Sequence, residues 1–133
     1  MDKRLSWLNS EKNKQTKAQN AYNTVTANLT TSKNRLAEYQ KLLKTAKGYD
    51  KELYQDAIKN IEADIKRLEK EQKDKKKTLD SANSKVKTAQ SNYDKAAKTK
   101  TDAQTKLDNA KKTTAKEQQD VNNVKNNYKN DTK

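Results

Sequence analysis

From Tyr54 to Tyr128 the chain keeps one seven-residue rhythm, and that rhythm limits its fold more than any other feature. One set of positions is Ile58, Ile65, Gln72, Leu79, Val86, Tyr93, Lys100, Leu107, Thr114, Val121 and Tyr128. The interleaved set is Tyr54, Ile61, Leu68, Lys75, Ala82, Ala89, Ala96, Ala103, Ala110, Glu117 and Val124. Alternating steps of three and four return these side chains to one face of an α-helix. A repeat held at seven keeps that face against a partner helix, as in a coiled coil.

A stripe is also what the composition permits. A chain of 133 residues at 29% apolar and 5% aromatic cannot fill the thick core of a globular domain of that size. The 37% of charged residues would suit a disordered chain, but a disordered chain has no reason to keep an apolar period. With one Gly and no Pro, few positions demand a turn. The many Thr, Asn and Asp residues weaken helix propensity, so helicity depends on association.

The first segment has its own stripe. One set is Met1, Leu8, Gln15, Tyr22, Leu29, Leu36 and Leu43, and the other is Arg4, Glu11, Ala18, Val25, Ser32, Tyr39 and Ala46. It is strongest from Ala18 to Ala46 and weaker over the first two turns, where Asp2 suits an N-cap and Leu5, Trp7 and Leu8 form an apolar cluster. The phase then slips, because Leu43 to Ile58 is fifteen residues where two heptads give fourteen. Gly48 can take the left-handed conformation that ends a helix, with Lys44 and Lys47 at the negative end of the dipole. Asp50 then caps the next helix, with Glu52 near its positive end. The competing reading is one continuous helix with a local stutter.

The expected fold is therefore all-α: an elongated antiparallel helical hairpin with coiled-coil packing and a break near Gly48. Its single module comprises a helix over 2–46, a turn over 47–50, and one helix or two over 51–130. The polar run KEQKDKKKTLD at 70–80 is the candidate for a second bend, which would give a third helix after residue 78. One helix over 50–130 would be roughly 120 Å long and the first roughly 65 Å, so they cannot pair throughout. The Ala-rich half then needs another cover: a second copy, a partner protein, or neighbouring segments of a longer polypeptide.

Five successive alanines in one register let two backbones approach closely, with larger residues opposite filling the space. The expected interaction seam is Ala82, Ala89, Tyr93, Ala96, Ala103, Leu107 and Ala110, and its partners are protein helices, self or foreign. Ala96→Leu or Ala103→Glu is expected to disrupt it and lower the melting temperature. Polar residues in the stripe, Gln72, Lys75, Lys100, Thr114 and Glu117, lower its stability while restricting register. Tyr22, Tyr39, Tyr54, Tyr93 and Tyr128 fall on the stripe. Tyr49, at the expected tip, and Trp7, near the open end, are candidates for partner contact.

The net charge of +13 is uneven. Residues 1–48 hold ten Lys or Arg against three acids, 49–78 nine against eight, and 79–133 twelve against seven. Such an excess attracts anionic polymers non-specifically. Nucleic-acid readout is not expected, since Arg4, Arg35 and Arg67 are the only arginines and no basic patch is flanked by aromatics. Several charges suit same-helix pairs with the acid first: Glu62–Lys66, Glu69–Lys73, Glu71–Lys75, Asp94–Lys98, Asp102–Lys106 and Asp108–Lys112. Each is worth about 0.2–0.5 kcal/mol.

The chain has no Cys and no His, and no DxDxDG calcium loop. Its exposed helical acids do not form the sheltered pair that acid–base chemistry needs. No catalytic, cofactor or metal site is expected, and the chain reads as non-enzymatic. No apolar run is long enough for a membrane span, and MDKRLSWLNS lacks the apolar core of a secretory signal. A cell-surface or secreted location is expected for a segment of a larger protein, and a cytoplasmic one if Met1 is the native start.

At residues 79–128, LDSANSKVKTAQSNYDKAAKTKTDAQTKLDNAKKTTAKEQQDVNNVKNNY resembles the Lys/Ala/Thr/Gln-rich coiled-coil stalks of Gram-positive surface proteins, including surface-exclusion and aggregation-type adhesins. LDSAN and LDNAK recur 28 residues apart, four heptads. The resemblance is one of composition over the last 40% or so of the chain, and implies a spacer or a partner-binding hairpin. In size and shape the chain is also similar to the small helical partners of type VII secreted toxins. It departs from them in having Leu8 and Asn9 after Trp7 where they have a Trp-x-Gly turn, and no acid four residues after any tyrosine.

Overall fold

The computed structural model describes residues 2–131, and at Asp131 the backbone alone. Met1, expected in the stripe, lies outside the described residues. The fold is all-α: α1 spans Lys3–Leu43 and α2 spans Tyr49–Asp131, with no strand among the described residues. The chain divides into two compact units, one ending at Gln90 and the other beginning at Ser91.

The first unit is a helical hairpin. Asp2 caps α1 as expected, its carboxylate accepting from the Arg4 N–H at 2.8 Å, which satisfies one of the free donors of the first turn. Polar bonds cross between the helices from Gln15 Nε2 to Asn83 Oδ1 at 2.8 Å and from Gln72 Nε2 to Thr26 Oγ1 at 3.1 Å. In both pairs the residue numbers add to 98, so α1 and this part of α2 run antiparallel in one register. Nearer the turn, the Tyr39 and Tyr54 rings meet at 5.9 Å and 56°, a tilted geometry that suits aromatic quadrupoles.

The buried stripe follows the heptads. Val25 and Leu29 pack with Ile61, Ile65 and Leu68, flanked by Leu36 and Tyr39. Further from the turn Ala18 packs with Leu79 and Ala82, flanked by Tyr22. Here small residues on both helices meet a large one, the alternation that close helix pairs need. The first turns of α1 are better packed than expected, since Leu8 is only 2% exposed and Glu11 is buried too. The register explains this by placing Leu8 level with Gln90, beside Ala89, whose small side chain is fully buried and permits close approach.

Three local expectations change. α1 stops at Leu43, not 46, because the N–H groups of Thr45 and Ala46 bond to the carbonyls three residues back, at 3.4 and 3.3 Å, tightening the last turn. Gly48 has φ +62°, as a left-handed turn residue should. It directly precedes α2, however, and its carbonyl accepts from the Glu52 N–H at 3.4 Å. Asp50 is consequently not the cap; it lies with Glu52 inside the first turn of α2, where both acids still face the positive end of the dipole.

No second bend forms at 70–80, and α2 is continuous there. The run contains no Gly or Pro, and same-helix ion pairs brace it, Arg67–Glu71 and Lys76–Asp80, each at 2.9 Å. Both place the base first. Glu71 is thus engaged by Arg67, the opposite direction from the expected Lys75.

The second unit is helical from Ser91 through Asp131. Its threonines are accommodated by bonding back along the helix: the hydroxyls of Thr99, Thr101, Thr105 and Thr113 donate to carbonyls four residues earlier at 3.0–3.1 Å.

A candidate helix-docking face

Burial along the α2 stripe changes sharply with position. Ile61, Ile65, Leu68, Leu79, Ala82 and Ala89 are buried. Tyr93 and Ala96 are half-buried, and every residue from 97 to 130 is exposed. The heptad itself does not change, since apolar and small residues continue at the same phase through Val121, Val124 and Tyr128.

The expected seam residues therefore fall into two groups. Ala82 and Ala89 belong to the closed hairpin. Ala103, Leu107 and Ala110 share an exposed face of the second unit, together with the outward parts of Tyr93 and Ala96. On this face Leu107 is 49% exposed, Val121 47%, Val124 67% and Tyr128 70%. Isolated exposed apolar residues are ordinary, but a row of them at one heptad phase is a coiled-coil half-seam.

Polar stripe residues behave in three ways. Gln72 is half-buried and bonded across the hairpin to Thr26. Lys75, expected inside, is exposed, because its long stem can lie along the seam with the ammonium in water. Lys100, Thr114 and Glu117 lie on the exposed stretch. Glu11 is a costly polar residue: its side chain is buried, Lys14 Nζ is 3.5 Å from Oε1, and Oε2 accepts no hydrogen bond from the described residues. At the surface, the hydrogen bond and charge of Asp80 hold the Lys76 ammonium above its ordinary value.

Tyr49 stands at the tip, 76% exposed, beside Gly48, and Trp7 is 40% exposed on α1. Among the described residues no three acidic side chains converge in a metal-binding group, and no helix is long and apolar enough to cross a membrane. A scan against protein-family models and searches of curated proteins and of solved structures returned no match.

Proposed function

We propose that the chain is a non-enzymatic protein-interaction module, a partner-binding coiled-coil hairpin of a Gram-positive surface protein. The observation that carries this reading is the half-seam of Leu107, Val121, Val124 and Tyr128, exposed at the heptad phase that is buried earlier in the same helix. A partner helix laid on this face removes apolar side chains from water, at about 25 cal/mol per Å² buried. The surface-protein assignment is supported by the Lys/Ala/Thr/Gln-rich texture of 79–128. Abundant Lys outside the stripe keeps such a helix solvated and favours acidic surroundings.

The test uses the labelled chain and its Leu107→Glu/Val121→Glu variant, incubated with intact source cells and with the soluble extract. The reading predicts saturable retention of the native chain on the cells and its loss in the variant. Equal behaviour of the two chains would overturn the docking face. Retention confined to the soluble fraction would overturn the surface assignment.

A further inference from the structure

We infer that the half-seam of the second unit pairs with the same segment of a second copy, antiparallel, in a register where residue numbers across the interface add to 217. This rests on the reading of that face as a helix-docking surface and names its occupant.

Two observations select a second copy. The first is continuity: the phase that closes the hairpin at Ile61, Ile65 and Leu68 continues unbroken through Leu107 and Val121, so the geometry asked of a partner is the one α1 already supplies. The second is charge. Between Tyr93 and Val124 the stripe contains two charged residues, Lys100 and Glu117. In a parallel, in-register pair, Lys100 would face Lys100 of the other copy and Glu117 would face Glu117, like charges inside a seam.

An antiparallel pair brings the interleaved sets face to face. In the chosen register Lys100 meets Glu117 of the second copy, and by two-fold symmetry Glu117 meets Lys100. Both charges are then neutralised within the seam.

The same register settles the sizes. Leu107 lies opposite Ala110 of the second copy, Ala103 opposite Thr114, and Ala96 opposite Val121. Ala96, Ala103 and Ala110 each meet a larger side chain, as Ala18 meets Leu79 in the hairpin. Moving the register by one heptad places Lys100 against Ala110 or Val124 and leaves the charge unpaired, which a buried seam penalises heavily.

Sedimentation equilibrium on the full chain tests this, using the native protein, Lys100→Glu, Glu117→Lys and the double variant. Each single reversal places like charges opposite each other twice per dimer and should weaken dimerisation by about tenfold or more, and the double reversal should restore it. Lys100→Glu is the sharper probe. It lowers the positive charge of the chain, so general repulsion alone would make it associate more tightly, while the register requires the opposite.

Both substituted positions are exposed, and an unchanged hairpin melting transition confirms folding. A native chain that stays monomeric, or single reversals without effect, would overturn the register. If the native chain is monomeric but its cell retention is still lost in Leu107→Glu/Val121→Glu, the self-pairing fails and the docking face stands. If that retention is insensitive as well, both fail.

Discussion

Gln72 donates from Nε2 to Thr26 Oγ1 at 3.1 Å, joining residues 46 apart in the chain from within the hairpin stripe. A slip by one heptad would separate the pair and leave a half-buried amide without its partner, at a cost of about 1–3 kcal/mol. With Gln15 and Asn83 it fixes the antiparallel register. Cysteines replacing Thr26 and Gln72 should therefore join within one chain through a short thiol-reactive cross-linker at high dilution. Thr26→Cys with Thr105→Cys should not. Mass spectrometry of the digests reads the outcome, and equal cross-linking of both pairs would contradict the register.

Burial separates two alanines of one heptad set. Ala89 is fully buried and Ala103 is exposed. Ala89→Leu should overpack the hairpin and destabilise it by about 1–3 kcal/mol, seen as a lower midpoint in thermal melts. Ala103→Leu should leave the hairpin melt where it is. Equal effects would mean that both positions share one environment.

Glu11 is a buried carboxylate, helped by Lys14 at 3.5 Å on one oxygen only. Glu11→Leu should raise stability by about 1–2 kcal/mol, because removing a poorly compensated buried charge outweighs the loss of one partly exposed ion pair. Urea denaturation measures this. A destabilised variant would show that the carboxylate has a structural use.

Gly48 occupies the left-handed region at φ +62°, and a Cβ placed there would meet nothing within 4 Å. The penalty of Gly48→Ala is therefore conformational, about 1–2 kcal/mol, and Gly48→Asn should cost less because Asn tolerates that region. A change at Ala equal to that at Asn would argue against a strained turn.

The helical class, the hairpin and its reversal near Gly48 were legible in the sequence, because heptad phase and a lone glycine act locally. Details that depend on a neighbour were not. The first turns of α1 look weak alone, yet Leu8 is deeply buried where the hairpin register brings it level with Gln90. Lys75 has the phase of a buried residue, yet its flexible stem lets it reach water. Asp50 resembles a cap, but Gly48 is placed to begin the helix two residues earlier than an Asp50 cap would. Heptad phase alone also fails to distinguish Ala89 from Ala103, since it records which face points inward and not whether anything covers it.

Hydrogen exchange on the full chain across a dilution series, with the mass followed in parallel, tests most directly whether the exposed stripe awaits a partner. Without a partner, a Thr- and Asn-rich helix with no buried face is marginal. In the monomer, amides around Val25, Leu29, Ile61 and Ile65 should be protected while those from 97 to 130 exchange rapidly, and the latter should slow as dimer forms. Strong protection of 97–130 in a chain that sediments as a monomer would contradict the account, because that segment would then need no cover.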